Sequence, residues 1–453
     1  MILDRIQELL SQFTALWWAN DTGIPPLGPT YSARQQAARE AHLDRFLDTV
    51  TAELERIASP PRSGGFRDSP PTPGGQPSPP RSGGFRDSLP TQQRIISAFR
   101  TFARSALDFE ERHLHVLLSR GFTQALTEFA QAAHRFDPTL SGSDVFQASR
   151  NVSAMNGLQL LMGEPVRLTP AIFAYSMLYP YSDNYLDDPA IPPETKAAFN
   201  ARLARRLAGE HVTPGDARER IVYDLVCMIE GQYDRPRYPQ VFESLLAIHH
   251  AQGESVRLLH RQASPYEVDV LGISLEKGGA SVLADGYLVA GSLTQAQEEF
   301  LFGWGAFLQL VDDLQDVAGD RQGGLLTVFS QTATHWPLDR LTGRAFQFGA
   351  RVLQRLDCFH APGPDAAALK ELMVRSASLL LVDAAGRAGR FHTRRYLRDL
   401  EAHSPFRFSF LNRSRQRLAR QRVSLVRMVE AFAASENTAP PALLSMGQPS
   451  RGP

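Results

Sequence analysis

The apolar residues of this chain recur with a helical period along most of its length, and this periodicity constrains the fold more than any other feature. Across residues 91–435 they return every three to four positions, which is the spacing of one face of an α-helix. Breaks rich in Gly and Pro separate the stretches, for example at residues 209–215 and 291–294. No pattern of alternating strands is apparent. The sequence therefore predicts an all-α protein, with about ten to twelve helices in this region.

Changes in composition divide the chain into four parts. Residues 1–58 carry a helical pattern with one Gly- and Pro-rich break, and they predict an N-terminal helical extension. Residues 59–90 are dominated by Pro, Gly and Ser, cannot bury a core, and predict a disordered linker. Residues 91–436 are predicted to form the main helical domain, where the catalytic residues are expected. Residues 437–453 are predicted to be a disordered tail.

The linker contains the same eleven residues twice. The segment SPPRSGGFRDS occupies residues 59–69 and again residues 78–88. Each copy carries one Phe and two Arg, which is compatible with a docking motif. Replication slippage in a tolerant linker is the simpler interpretation, and the sequence leaves both open.

Charge is balanced, with 48 Lys plus Arg and 48 Asp plus Glu. No global field attracts nucleic acid, so we expect no nucleic-acid partner, and any anion site must be local. The two cysteines, Cys227 and Cys358, lack metal-type spacing and are expected to be free thiols in a reducing compartment. Neither a signal-peptide pattern nor an apolar run of about 18 residues occurs. These features predict a cytoplasmic protein without a membrane span.

The most informative segment is acidic and ends a long apolar stretch. Residues 305–321 read GAFLQLVDDLQDVAGDR, and the turns before the aspartates carry no charge. On an α-helix Asp312, Asp316 and Asp320 are four residues apart and stack along one face, with Asp313 beside them. Like charges at this spacing repel, so a cation should compensate them. The uncharged turns indicate that the carboxylates project from a buried helix into a cavity.

The absence of His and Cys from this segment indicates which metal it suits. Hard carboxylate oxygens favour Mg²⁺, which keeps several waters and is usually held by a few carboxylates together with substrate phosphates. A diphosphate substrate follows from this preference. The alternative is an acidic helix end entering the Gly-rich turn at residues 319–324, although acidic residues there oppose the helix dipole.

A second acidic segment follows another aromatic-bearing stretch. Asp183 and Asp187 share one helical face, and Asn184 and Asp188 the adjacent face, just before Pro189. Alone, this segment is equally compatible with a helix terminus and a turn. If the two segments face each other across a bundle, they can grip metal ions and a diphosphate between them.

At these residues the chain resembles the class I isoprenoid synthases. Residues 305–316 are similar to the second aspartate-rich motif of trans-prenyltransferases, Gly-x-x-Phe-Gln-x-x-Asp-Asp-x-x-Asp, with Leu308 in place of Phe. The same helix matches the spacing of the metal triad of terpene cyclases, with Asp312, Asp316 and Asp320 at its three positions. Both kinds of enzyme therefore remain candidates.

The stretch after the second motif extends the resemblance. Residues 320–324 resemble the corresponding part of the tetraprenyl-β-curcumene synthase-like family of large-terpene synthases, and residues 183–188 are similar, less regularly, to its first motif. The resemblance covers roughly residues 95–430 and implies a helical bundle around a central apolar cavity, with both acidic motifs at its mouth. It implies catalysis by Asp183, Asp187, Asp312 and Asp316. It implies a cluster of up to three Mg²⁺ ions held among Asp183, Asp187, Asp188, Asp312, Asp313, Asp316 and Asp320.

A lysine lies where prenyltransferases place a diphosphate-binding lysine. Lys277 stands one helix upstream of the second motif, and an ammonium group is a good partner for phosphate oxygens. The alternative is an exposed lysine that pairs with Glu276 or Asp285.

Three further residues are implied as diphosphate ligands. Arg321 directly follows the acidic segment, where it can hold a leaving diphosphate. Arg395 and Tyr396 resemble the C-terminal Arg-Tyr pair of many terpene cyclases. In an arginine-rich chain, a chance dipeptide is the alternative explanation.

Apolar side chains are placed to line the predicted cavity. Four of them precede the first aspartate of each segment by four or eight residues, and so share its helix face: Tyr175, Tyr179, Trp304 and Leu308. Aromatic faces stabilise carbocations, so such a lining would serve chemistry as well as packing.

The resemblance implies a Mg²⁺-dependent terpene synthase that ionises a prenyl diphosphate and cyclises or deprotonates the cation. The alternative is a prenyltransferase that joins prenyl units head-to-tail or head-to-head. A third interpretation is a non-catalytic helical partner protein with degenerate motifs. A homodimer is compatible with the first two, and an apolar product would bring transient membrane contact without a membrane span.

Overall fold

The structure, a computed structural model, describes residues 2–58, 88–187, 190–259 and 268–417. Over these ranges it is helical, and its one β-type pairing is an isolated bridge between Leu259 and Leu325. The prediction of an all-α protein is confirmed. Most of the predicted linker and the predicted tail lie outside the described residues, as does Asp188. No helix in the described ranges is long and apolar enough to cross a membrane.

Short helices divide the main domain more finely than its periodicity predicts. The helices are α1 (Ile2–Ala19), α2 (Ala33–Ala58), α3 (Ser88–Ala106), α4 (Glu111–Leu117), α5 (Arg120–Phe136), α6 (Gly142–Met162), α7 (Pro170–Asp187), α8 (Pro193–Leu207), α9 (Ala217–Gln232), α10 (Pro239–Ser255), α11 (Val270–Ala290), α12 (Gln295–Gln315), α13 (Val317–Gly323), α14 (Val328–Thr332), α15 (Asp339–Leu353), α16 (Pro364–Arg387) and α17 (Arg394–Glu401). Residues 408–417 are helical as well.

Helices α11 and α12 form the centre of the bundle and approach unusually closely. A Cβ on Gly278 would lie 2.4 Å from the carbonyl oxygen of Gly305, and one on Gly305 would lie 2.0 Å from the carbonyl oxygen of Gly278. Only glycine permits this backbone contact, since side chains normally hold helix axes 8–10 Å apart. The crossing sets the first half of α11 directly against the last turns of α12.

The N-terminal helix belongs to this core. Phe13 and Trp17 of α1 are fully buried, and the Phe13 ring packs on Phe302 of α12 and Phe348 of α15, with centroids 5.8 and 5.9 Å apart. Gly303 makes room for Phe13, because a Cβ there would lie 2.5 Å from its ring. The apolar face of α1 is therefore part of the main hydrophobic cluster.

Helix α2 packs elsewhere, in a smaller cluster with α3 and the segment after α17. Phe46 stacks on Phe102, which stacks on Phe406. Beside these rings, the buried carboxylate of Glu40 accepts hydrogen bonds from the backbone and guanidinium of Arg407. This cluster attaches the region before the linker to the end of the described chain.

Contacts at the helix ends fix the directions of α7, α11 and α12. The start of α7 lies against the end of α9, where the backbone N–H of Ala171 donates to Gln232. The end of α9 lies against the end of α11, where the Tyr233 hydroxyl donates to the carbonyl of Leu288. The start of α11 faces the end of α12 through Ser274 and Asp313. Helices α7 and α12 therefore end at the same end of the bundle, here called the acidic end.

Candidate functional site

The second acidic segment spans a junction between two helices. Helix α12 stops at Gln315, Asp316 adopts φ −99° and ψ 7°, and α13 begins at Val317. The helical hydrogen bonds nevertheless continue, because the Asp316 N–H donates to the Asp312 carbonyl at 2.9 Å and the Asp320 N–H to the Asp316 carbonyl at 3.0 Å. The expected four-residue stacking is thus kept across the junction, with Asp313 on the flank.

Asp313 is the buried member of the set, with 5% of its surface exposed. The Gln309 amide donates to its Oδ1 at 2.8 Å, and Ser274 of α11 also hydrogen-bonds to it. Its other oxygen, Oδ2, is buried and has no partner among the described residues. Burial raises the pKa of Asp313 to about 6. A buried carboxylate oxygen without a hydrogen bond is energetically costly, and a bound cation or donor would relieve that cost.

Burial and neighbouring negative charges disfavour the ionisation of Asp312 and Asp320. Desolvation and then the charge of Asp316 raise the pKa of Asp312. Desolvation, followed by the charges of Asp313, Asp316 and Asp312, raises the pKa of Asp320 to about 7. These carboxylates are therefore close enough to repel one another, and a bound cation would relieve that repulsion.

Three basic side chains from three other helices act on Asp312. Lys277 of α11, Arg150 of α6 and Arg387 of α16 each lower its pKa through their charge. The sequence indicated only Lys277. Arg150 and Arg387 belong to no recognisable motif, and only the packing of α6 and α16 brings them to the acidic end.

Lys277 does not have the partners that the alternative interpretation requires. It forms no salt bridge with any described residue, whereas Glu276 accepts a hydrogen bond from Gln7 and Asp285 is buried against Asn151. Lys277 is half-buried and its charge acts on both Asp312 and Asp313. The ammonium group of Lys277 therefore acts on the aspartates at the acidic end. It does so through its charge, without a direct ion pair to either of them.

The three other candidate diphosphate ligands are placed differently. The Arg321 guanidinium lies over the Phe391 ring, 5.4 Å from its centroid, and Arg395 is exposed. The Tyr396 ring stacks on His392 at 5.5 Å, and its hydroxyl oxygen is buried without a partner among the described residues. Burial, and then Asp339, raise the pKa of Tyr396. No contact places Arg321 or Arg395 against the α12 aspartates.

Below Asp312, the exposed face of α12 is apolar. Trp304, Leu308 and Gln309 are half-buried, whereas the other residues from 300 to 311 are buried. The Trp304 indole stacks with Phe300 at 6.3 Å and with Phe307 at 5.3 Å. Trp304 and Leu308 therefore contribute to core packing and keep a free surface on the Asp312 face.

Helices α6 and α16 present apolar side chains beside their arginines. Phe146 is four residues before Arg150, Leu380 is seven before Arg387, and both keep about two-fifths of their surface exposed. Residues at these spacings share a helix face. Each of these exposed apolar side chains therefore shares a helix face with an arginine whose charge acts on Asp312.

The first acidic segment stands on the last turns of α7. That helix runs through Pro180 to Asp187, so Asp183 and Asp187 stand near its end, at the acidic end. Tyr175 is half-buried on the same helix. The side chains of Tyr179, Asp183 and Asp187 lie outside what the structure describes.

The α12 aspartates fit Mg²⁺ by ligand type. Within the described residues, no three Asp, Glu, His or Cys side chains lie close enough together to hold a metal ion by themselves. Carboxylates spaced one helical turn apart, with an unpartnered buried oxygen among them, suit ions that take their remaining ligands from water and phosphate. They do not form a closed, all-protein metal cage.

Two surface clefts lie away from these aspartates. One, of about 450 Å³, lies between α4, α15 and α16 and is lined by residues such as His113 and Glu371. The other, of about 430 Å³, lies beside α1 and includes Arg5 and Glu298. In the first cleft His113 contacts Glu371 at 3.0 Å, and in the second Arg5 pairs with Glu298 at 3.0 Å.

No protein-family model, curated protein or solved structure matches this chain. Its function must therefore be inferred from its own residues.

Proposed function

We propose that this chain is a Mg²⁺-dependent terpene synthase of the class I isoprenoid synthase type. One observation carries the proposal. Three aspartates at the end of α12 and a fourth on α13 repel one another, three basic side chains from other helices act on Asp312, and α7 ends at the same end of the bundle. A site rich in both signs, set above the apolar Trp304 and Leu308 face of α12, suits a ligand with an anionic head and a hydrocarbon tail.

The anionic head would be a diphosphate. Asp312, Asp316 and Asp320 on one side, with Asp183 and Asp187 on the other, would hold up to three Mg²⁺ ions, and Asp188 and Asp313 would flank them. Bound there, Mg²⁺ neutralises the diphosphate and makes it a better leaving group.

The protein's own basic side chains would also assist the release of the diphosphate. Lys277 and Arg150 would bind diphosphate oxygens and stabilise the charge that develops as the C–O bond breaks, and Arg387, which pairs with Asp383 at 2.9 Å, would contribute through its charge. No covalent nucleophile is needed. The resemblance also assigns Arg321, Arg395 and Tyr396 to the diphosphate, although no contact among the described residues links these side chains to the α12 aspartates.

The hydrocarbon tail would lie along the face of α12 below Asp312. Trp304, Leu308 and Leu380 would exclude water from the cation, and aromatic faces stabilise a nearby cation by roughly 0.5–2 kcal/mol per contact. The cation would then cyclise or lose a proton.

A prenyltransferase remains the second candidate. The Gln309 amide donates a hydrogen bond to Asp313. These two residues occupy the Gln and second Asp positions of the prenyltransferase motif. Such an enzyme would release a longer diphosphate or a fused dimer, whereas a terpene synthase releases a hydrocarbon or an alcohol. Mass spectrometry of the products separates the two.

The test is pyrophosphate release from farnesyl diphosphate and its longer homologues, with and without Mg²⁺. We expect Mg²⁺-dependent release that Asp312→Asn combined with Asp316→Asn abolishes. The matched control is Asp44→Asn with Asp48→Asn, which removes two carboxylates of the same spacing from α2, where they pair with Arg417. Absence of release from every substrate would overturn the proposal and favour a non-catalytic partner protein.

A further inference from the structure

A basic stripe without an acidic counterpart runs along α15. Arg340, Arg344 and Arg351 fall within about 40° of one another around the helix axis, over about 17 Å of its length. Arg340 and Arg351 are exposed, and none of the three forms a salt bridge with a described residue. The one carboxyl group of α15, on Asp339, accepts hydrogen bonds from the backbone and hydroxyl of Thr393 at 3.0 and 2.6 Å. This face of α15 therefore carries positive charge that the described residues do not neutralise.

Two exposed tryptophans adjoin the stripe. Trp18, near the end of α1, is 60% exposed, and the Arg344 guanidinium lies 5.1 Å from the centroid of its ring. Trp336 is 72% exposed and precedes Arg340 by four residues, a span of at most about 14 Å. Trp18, Trp336, Arg340, Arg344 and Arg351 are together called the Trp–Arg patch. The patch combines positive charge with exposed apolar surface.

The charges of this patch repel one another. Burial, and then the charge of Arg340, lower the pKa of Arg344. The nearest loop, which follows α1, supplies one carboxyl group, on Asp21. That group accepts hydrogen bonds from the backbone N–H groups of Thr22 and Gly23 and forms no salt bridge with the described arginines. An anionic surface outside the protein would relieve the repulsion.

The start of α15 lies at the acidic end of the bundle. The backbone N–H of Leu338, just before α15, donates to the carbonyl of Phe391 at 2.9 Å. The guanidinium of Arg321, on α13, lies 5.4 Å from the centroid of the Phe391 ring. A flat surface that binds the start of α15 would therefore lie beside the end of the bundle that carries the aspartates.

We propose that the Trp–Arg patch docks this protein on the surface of an anionic lipid bilayer. Indole rings are favoured at the bilayer interface, because their body is apolar and their N–H group is polar. Arginines near such a surface are attracted to its anionic headgroups. Nucleic acid offers the same phosphate charge, but three arginines on a chain without net charge are a small electrostatic footprint for it. The docking goes beyond the proposed function and does not depend on it.

Vesicle sedimentation tests the docking. We expect the full-length protein to partition onto phosphatidylcholine vesicles that contain about one third phosphatidylglycerol, and at least about tenfold less onto pure phosphatidylcholine. Added salt should weaken the binding, because it screens the headgroup charge. Equal partitioning onto both kinds of vesicle, or onto neither, would overturn the proposal. Binding of single-stranded RNA without partitioning onto vesicles would assign the patch to nucleic acid and overturn it as well.

A double variant assigns the contact to the patch. Trp336→Ala with Arg340→Gln removes two exposed side chains that form no described hydrogen bond or ring contact. Partitioning onto the anionic vesicles should fall at least about fivefold. The matched control, Val256→Ala with Arg220→Gln, removes an exposed apolar side chain and one positive charge elsewhere and should partition like wild type. Equal partitioning of the two variants would contradict the assignment.

Brominated lipids provide a measurement on the wild-type protein alone. Bromine quenches the fluorescence of indoles that enter the bilayer interface, so Trp18 and Trp336 should be quenched on anionic vesicles. Binding without quenching would overturn the proposal even if the double variant fails to fold. None of these measurements involves pyrophosphate release, so failure of the docking leaves the proposed function standing.

Discussion

Replacing Gly278 by alanine probes the helix crossing that assembles the site. The added Cβ would lie 2.4 Å from the Gly305 carbonyl oxygen, whereas ordinary contacts begin at 3.4 Å, so α11 and α12 must separate by about 1 Å. The obstacle is backbone, which cannot rotate away. Overpacking in a core costs about 1–3 kcal/mol, and we expect Gly278→Ala to reach the upper end of that range. The same displacement moves Ser274 and Lys277 away from Asp313.

A second helical glycine provides the control. A Cβ on Gly253 of α10 would meet no other atom within 4 Å, so Gly253→Ala should stabilise the protein by about 0.5–1 kcal/mol through helix propensity alone. Urea denaturation followed by far-UV circular dichroism compares the two variants. Equal stability of Gly278→Ala and Gly253→Ala would refute the close crossing of α11 and α12.

Two further changes test other parts of the structure. Phe13→Ala should lower the free energy of unfolding by about 3–5 kcal/mol, because the fully buried ring of Phe13 fills the core. Leu3→Ala, on the exposed side of the same helix, should have little effect. Matching denaturation curves for the two variants would contradict the packing of α1 into the core. In metal-free protein, Asp320, with a pKa near 7 against an ordinary 3.8, keeps a proton that the unfolded chain releases, so stability should fall as pH rises between those values. Asp320→Asn should flatten this part of the urea-midpoint profile against pH, and an unchanged slope would contradict the assignment.

Local patterns predicted the helices and the acidic stack well. The apolar period of α1, with Ile6, Leu9, Phe13 and Trp17 on one face, marks a helix whose face must be buried. The sequence left open whether this face packs on the main domain, and the structure places it in the main hydrophobic cluster. Likewise, four-residue spacing predicted the neighbouring aspartates, because the helical hydrogen bonds continue from α12 across Asp316 into α13.

What the sequence could not predict depends on packing between helices. Arg150 and Arg387 are ordinary arginines in an arginine-rich chain, and only the arrangement of α6 and α16 brings their charge to Asp312. Asp285 entered the sequence analysis only as one of two alternative surface partners for Lys277, because helical spacing cannot distinguish an exposed stripe from one that leads inward. Burial, which decides the chemistry of that carboxyl group, is a tertiary property.

Calorimetric titration with inorganic pyrophosphate tests the central claim most directly, because it separates the anion site from any turnover. We predict that wild-type protein binds pyrophosphate in the presence of Mg²⁺, and that Asp312→Asn with Asp316→Asn weakens this binding at least about tenfold. Without Mg²⁺, binding should be lost, since the carboxylates then repel the anion. Equal binding by the variant, or binding independent of Mg²⁺, would contradict a metal–diphosphate site at the end of α12.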